Sequence, residues 1–330
     1  MEAQMFPPGY AEESIAARVY GTAIAFIILN IGAVALRVGT RLHYKTTWGW
    51  DDYLIVPGLL FALGTCIIGL VEVEIAGVGR HLLPVANENF AALIYWAKSG
   101  YAIESLYALG CVFPKLSILA SYLRIFIGKW YRRATWVLVF IVVSAALAAV
   151  VTSLAGCRPF STRWTDFSAD ASKKCINYLT LWRATSVPNI VTDVAMLILP
   201  QPVVWKLHLP KQQKLAVSLV FFLGSIGIVA SVLRFSVVLS VKDLSDGTYD
   251  SANIAALSIV ETGAYLIAAC LPILRPLISD IAKKTGAYLR NSNTAKKHSG
   301  AHYGSERGFE RMEMDVWDYD NAGNVKLGHV

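Results

Sequence analysis

The chain has 330 residues, 55% of them hydrophobic and 16% charged, against roughly 45–50% apolar and about 25% charged in an ordinary soluble domain. Apolar runs longer than about 18 residues recur with the charges confined to the gaps, which excludes a soluble enzyme, a coiled coil and a disordered chain. The formal net charge is +7, but no basic run is interleaved with aromatics and no nucleic-acid module is present. The charge therefore bears on membrane topology, and no nucleic-acid partner is expected.

The patterning predicts an all-α, seven-transmembrane helical bundle. In chain order the spans are Val19–Val38, Tyr53–Val73, Tyr101–Leu123, Ala134–Gly156, Tyr178–Leu199, Leu215–Val241 and Asn253–Leu274, each long enough to cross ~30 Å of hydrocarbon at about 1.5 Å per residue. The apolar stretch Asn89–Ala97 either extends the third span or forms a separate interfacial turn. Residues 1–18 make a short N-terminus without a cleavable signal pattern, 19–276 the membrane domain, and 277–330 a polar tail that reads as disordered in isolation.

Loop charges set the expected orientation. Arg37, Arg41 and Lys45, then Arg124, Lys129, Arg132 and Arg133, then Lys206, Lys211 and Lys214 follow the first, third and fifth spans. Lys283, Lys284, Arg290, Lys296 and Lys297 follow the seventh. These loops and the C-terminus are expected on the cytoplasmic side, which places the N-terminus outside. The protein is then a multi-pass component of the plasma membrane or an endomembrane, with the lipid bilayer as its first partner.

Cys66, Cys111 and Cys270 fall inside spans and read as buried free thiols. Cys157 and Cys175 flank the predicted outer loop between the fourth and fifth spans, where an oxidising compartment favours a disulfide that would cinch the loop into a lid. The alternative is two unpaired thiols at the interface.

Several short motifs then fall into an order. Trp50-Asp51-Asp52-Tyr53, Gly77-Val78-Gly79-Arg80-His81, Lys115-Leu116-Ser117-Ile118-Leu119 and Tyr122-Leu123-Arg124-Ile125-Phe126 are followed by Cys157-Arg158-Pro159 with Trp164 and Cys175. Asp193, Leu199-Pro200, Trp205-Lys206-Leu207, Arg234, Glu261 and Leu271-Pro272-Ile273-Leu274-Arg275-Pro276 complete the series. From about Arg37 to Pro276 this order and spacing resembles the fungal rhodopsin-like integral membrane family. The resemblance implies a seven-helix fungal membrane protein whose relatives include receptor-like proteins and members that accompany secondary-metabolite biosynthetic genes. It supplies no agreed catalytic residues. The cysteine-rich extracellular module of the receptor-like relatives has no counterpart before the first span, so what that module senses does not transfer.

Ionisable residues within spans each cost about 2.5–3.5 kcal/mol at a helix centre and are by default functional candidates, and six stand out. They are Glu104 and Lys115 on the third span, Arg183 and Asp193 on the fifth, Arg234 on the sixth and Glu261 on the seventh. Depth predicts a Lys115–Asp193 pair on the inner side and a separate outer network joining Glu261 to Arg234 or Arg183. Glu104, Cys111 and Lys115 share a helix face, as do Ser186, Asn189 and Asp193, and Ser258, Glu261 and Tyr265. These faces line a candidate polar cavity, with structural ion pairing as the competing explanation.

Asp51 and Asp52 read as caps of the second span, with contact to loop arginines or a cytoplasmic partner as the other possibility. Arg124 sits with them on the cytoplasmic face. His81 reads as a surface histidine, and Gly224, Gly227 and Ser231 as a small-residue packing side. No metal motif and no soluble-enzyme signature is present. A retinal Schiff base needs a lysine amine in the seventh span, and Asn253–Leu274 contains none, so no cofactor is expected. These features favour a receptor-like protein that senses a small hydrophobic ligand and signals to a cytoplasmic partner. The alternative is a membrane-embedded accessory enzyme of isomerase or cyclase type, using Glu261, Asp193 or Glu104 as its acid, or a carrier in a biosynthetic pathway.

Overall fold

The computed structural model describes residues 9–10, 12–125, 128–166, 174–202, 211–241, 246–299, 318–319 and 325–326. Two compact units are distinguished, Met1–Ile281 and Ala282–Val330. Nine helices are described: α1 (Ala16–His43), α2 (Trp50–Ala76), α3 (Leu82–Glu88), α4 (Phe90–Ile125), α5 (Lys129–Leu154), α6 (Thr162–Thr165), α7 (Tyr178–Ile198), α8 (Lys211–Ser240) and α9 (Gly247–Ser299). In the second unit β1 (Asp318–Tyr319) pairs antiparallel with β2 (Val325–Lys326), Asp318 opposite Lys326. The fold of the first unit is an all-α membrane bundle.

Among the described residues five helical segments are long and apolar enough to cross a bilayer: Ala16–His43, Trp50–Ala76, Phe90–Arg124, Lys129–Leu154 and Gly247–Leu274. The two remaining long helices, α7 and α8, occupy the predicted fifth and sixth spans. α7 is the less apolar because Arg183, Asn189 and Asp193 interrupt its hydrophobic run.

The helices overrun the spans read from hydropathy, since an α-helix continues beyond the hydrocarbon wherever its backbone bonds are satisfied internally. α4 begins at Phe90, so Asn89–Ala97 mostly extends the third span, and α9 passes the predicted end at Leu274 and runs to Ser299. Phe126, Trp205, Lys206 and Leu207 lie outside the described residues, as does most of the tail beyond 299.

Local signals fix the helix ends. The Asp52 carboxylate accepts a hydrogen bond from Gly49 N–H at 3.1 Å, opening α2, and Gly77 closes it in the left-handed region at φ 70°. Asn177 caps α7 by accepting from Thr180 N–H at 3.1 Å. Gly79 has φ 99°, and a Cβ there would lie 2.7 Å from Ala16 N, so the turn after α2 packs against the start of α1 only with glycine.

Burial runs opposite to a soluble protein. Ile28, Leu60, Phe140, Leu147 and Val191 are exposed, while Arg37, Lys115 and Glu261 are among the most buried side chains. Lipid solvates the apolar exterior, so apolar contacts between helices gain little from water exclusion and association depends on close packing and polar bonds. Close packing is visible at Gly58, where a Cβ would come within 3.3 Å of Leu266 and Pro114, and at Gly227, 3.1 Å from the Tyr265 ring. The apolar core forms three groups, one around Val19, Cys66 and Ile259, one around Ile55, Leu266 and Cys270, and one around Leu119, Tyr122 and Met196.

Candidate ligand-binding site

A cavity of about 830 Å³ lies between α4, α5, α7 and α9. Leu93, Ala97, Gly100, Glu104, Tyr107, Cys111 and Lys115 line it from α4, at steps of three or four residues that make one helix face. That face extends about 33 Å along α4 at the helical rise. α5 contributes Ala145, Ala146 and Ala149, whose small side chains leave the space open, and α7 contributes Trp182, Thr185 and Asn189.

At the deep end, Lys115 Nζ lies 2.6 Å from Asp193 Oδ1. It also donates to Asn189 Oδ1 at 2.7 Å and Thr192 Oγ1 at 3.2 Å and sits 4.8 Å from the Tyr265 ring centroid. Fully buried Glu261 accepts from Arg234 Nε at 2.8 Å, Asn189 Nδ2 at 2.6 Å and the Tyr107 hydroxyl at 3.0 Å. Both expected pairs are therefore present, but they are not separate layers. The Ser231 hydroxyl lies 3.0 Å from Asp193 Oδ2 and 2.6 Å from Glu261 Oε1 and can donate to only one at a time. The Tyr265 hydroxyl likewise lies within hydrogen-bonding reach of both carboxylates and can donate to one at a time. Ser231, expected as a packing residue, is thus a polar hub.

Arg183 stands apart from this network. Its guanidinium donates to the Val241 carbonyl at 2.7 Å, tying α7 to the end of α8. Of the sequence-predicted cavity residues, Glu104, Lys115, Asn189 and Arg234 line the space, whereas Asp193, Glu261 and Tyr265 stand behind its wall and hold the lining groups in place.

At the other end Cys157 and Cys175 are joined in a disulfide, and the arms they connect are pinned by Arg158 N–H to Lys174 O at 3.0 Å and Ile176 N–H to Gly156 O at 2.7 Å. The loop carries α6, which delivers Arg163 to Glu104 at 2.8 Å. Arg163 lies over the rings of Tyr101 and Tyr178, 4.3 and 3.9 Å from their centroids. Burial alone would pull the Arg163 pKa down, but the Glu104 carboxylate outweighs it and holds the pKa above its ordinary value. Glu104 further accepts from Trp182 Nε1 at 3.2 Å and from the Ser153 hydroxyl.

Sequence reasoning did not select three participants. Glu72, one residue inside the end of the second predicted span, is 4% exposed and faces the cavity; its position within an apolar run was a usable signal. Tyr107 and Arg163 had none, since a tyrosine in a helix and an arginine in a loop are both ordinary. His81 is a correction: it is 8% exposed rather than at the surface. Its ring is stacked between Tyr10 and Tyr249, with centroids at 3.8 and 4.4 Å, and Nδ1 meets the Asp246 carboxylate. The clasp joins the N-terminal segment, the turn after α2 and the start of α9.

At the opposite end of the bundle, Arg37 and Arg41 from the last turns of α1 meet Asp51 and Asp52 in four salt bridges of 2.7–2.9 Å, all buried. Arg37 also donates to the Ala269 carbonyl of α9 at 2.7 Å. Asp52 is therefore both cap and ion-pair partner. Arg124, half exposed, reaches the edge of the cluster 3.8 Å from Asp51 and donates to Thr47 Oγ1 at 2.6 Å.

The Fungal rhodopsin domain matches residues 36–280. The chain is 33% identical over 265 residues to the polyenoic acids biosynthesis gene cluster protein Ba17b of Metarhizium anisopliae, covering 78% of this chain and 72% of that protein. It is 29% identical over 251 residues to a SAT4 family membrane protein of Emericella nidulans, covering 74% and 59%, and 28% identical over 281 residues to Receptor GIN3 of Arthrobotrys oligospora, covering 85% and 66%. The last two matches span less than two thirds of those proteins. No solved structure matches. Matched across most of its length, and folded as a bundle of membrane-spanning helices, this chain belongs to the Fungal rhodopsin domain family of multi-pass membrane proteins.

Proposed function

We propose that this protein is receptor-like: a small hydrophobic ligand enters under the disulfide loop and occupies the α4–α5–α7–α9 cavity, and a cytoplasmic signalling partner meets the end carrying Arg37, Asp51, Asp52 and Arg124. The observation that carries the reading is the cavity. Its 830 Å³ falls within the roughly 300–1,000 Å³ of small-molecule sites, and it has the mix of apolar wall and few convergent polar groups that such sites use. At its deep end the Lys115–Asp193–Glu261–Arg234 network links α4, α7, α8 and α9, so a ligand touching Lys115 or Asn189 contacts a network that joins four helices.

One relative is named a receptor and another is named for a polyenoic acids biosynthesis gene cluster, which keeps an accessory enzyme or carrier as the second reading. Glu72, a buried acid facing the cavity, is the residue that favours it. Retinal does not fit: Asn253–Leu274 has no lysine, and Lys115, which lines the cavity, is committed to Asp193, Asn189 and Thr192. Purified protein incubated with retinal is expected to develop no red-shifted visible band.

Deletion combined with metabolite and transcript profiling separates the two functions. Lowered transcription of a whole set of genes supports the receptor. Accumulation of one defined precursor, reversed by microsomes bearing the protein, replaces it with the enzyme. Ala146→Trp fills the cavity from α5 and is expected to reproduce the deletion phenotype while leaving the amount of folded protein unchanged.

A further inference from the structure

In a low-dielectric interior an ionisable group is tolerated when a counter-charge stands beside it. The described cations that line the cavity, and the described acids of its lining other than Glu72, each stand in a pair; Arg183, outside the lining, is held by the Val241 carbonyl. Arg163 pairs with Glu104 at 2.8 Å, Lys174 with Asp166 at 3.2 Å, Lys115 with Asp193 at 2.6 Å and Arg234 with Glu261 at 2.8 Å.

Glu72 is left over. It lines the cavity and is 4% exposed, yet among the described residues no lysine, arginine or histidine stands within ion-pair distance of it. Ser99 stands near it, Arg163 is paired with Glu104 rather than with it, and Glu104 adds a like charge. The cavity is thus bordered by four closed pairs and a fifth acid turned towards a space large enough for a ligand.

We propose that the cavity's ligand carries a basic nitrogen and docks its ammonium group on Glu72, with its apolar body lying along the α4 face towards Lys115. This rests on the ligand-cavity reading above and assigns its chemistry. An ammonium supplies the missing counter-charge. An alcohol can hydrogen bond the carboxylate but leaves the site one cation short, and a carboxylate ligand adds a second negative charge.

The test uses the full chain in nanodiscs of phosphatidylcholine, with pyrene as a neutral apolar reporter excited by energy transfer from Trp96 and Trp182, which both line the cavity. Dodecylamine, 1-dodecanol and dodecanoic acid compete at matched bilayer concentrations. The expected result is displacement of pyrene by the amine at a concentration at least about tenfold lower than by the alcohol, which corresponds to about 1.4 kcal/mol, with the acid weakest. In Glu72→Gln, which keeps the side-chain shape, and in Glu72→Ala, the amine preference is expected to fall below about twofold while pyrene still binds. An amine no better than the alcohol in the wild type overturns the proposal without any variant, as does a preference that survives either substitution. Failure of the underlying reading looks different: pyrene gives no transfer signal, or Ala146→Phe, which fills the cavity without adding a donor, leaves that signal unchanged, and both ideas then fall together.

Discussion

Lys115 keeps its ammonium in the bundle interior because four acceptors or counter-charges are already in place: Asp193, Asn189, Thr192 and the face of Tyr265. Removing one member of such a pair leaves the other charge buried and uncompensated, at a typical cost of about 3–5 kcal/mol, whereas replacing both by apolar groups of similar volume is often neutral. Lys115→Met is accordingly expected to lower the thermal midpoint in detergent by the equivalent of about 3 kcal/mol or more, and Lys115→Met with Asp193→Leu to recover most of that loss. A double variant as unstable as the single one would show that Asp193 is held by Ser231 and Tyr265 instead. Glu261, like Asp193, is reached from three helices besides its own, but it has more partners on them: Tyr107, Asn189, Ser231 and Arg234, against Lys115, Ser231 and Tyr265 for Asp193. It is the group whose loss would loosen the most contacts.

At the level of elements, each membrane helix carries two faces that serve different solvents. On α4 one stripe lines the cavity, and Leu119 and Tyr122 pack with Leu138 and Val142 of α5 and Met196 of α7. On α5 Phe140, Leu147 and Val151 face outward while Ala145, Ala146 and Ala149 face the cavity. The connections are as specific as the helices. The turn after α2 needs glycine at 79 for both its positive φ and its approach to Ala16, and it positions His81 in the clasp with Asp246. Gly79→Ala is expected to destabilise by roughly 1–3 kcal/mol, measurable as a lower melting midpoint and faster proteolysis near the start of α1. Wild-type melting would mean that the turn relaxes without strain.

Over the whole molecule the two ends of the bundle are built differently. One is closed by the disulfide loop, Arg163 and the His81 clasp, the other by the Arg37–Arg41–Asp51–Asp52 cluster with Arg124 at its rim. Arg37, Arg41, Lys45, Arg124, Lys129, Arg132 and Arg133 concentrate at the second end, and from the positive-inside bias we propose that this end is cytoplasmic. Single cysteines introduced at Ser161 and at Thr46, in a background with Cys66, Cys111 and Cys270 replaced by alanine, test this in intact cells. A membrane-impermeant maleimide is expected to label the Ser161 position and to spare the Thr46 position; the reverse pattern inverts the topology.

Hydropathy and loop charge alone determined that the chain crosses a membrane several times as helices, because the bilayer demands long apolar runs whose backbone groups bond internally. The rarity of charge inside those runs was enough to select Glu104, Lys115, Asp193, Arg234 and Glu261. Three-dimensional packing decided the rest. Arg183 and Arg234 are equally intramembrane in sequence, yet one caps the end of α8 and the other holds Glu261, because partner choice depends on helix rotation and neighbour order rather than depth. Glu72 falls at the end of the second predicted span, where sequence reasoning did not select it, and only the bundle places it in the cavity wall. Whether a charge is a lock or a docking point is a property of what stands opposite it, and only the assembled bundle sets that.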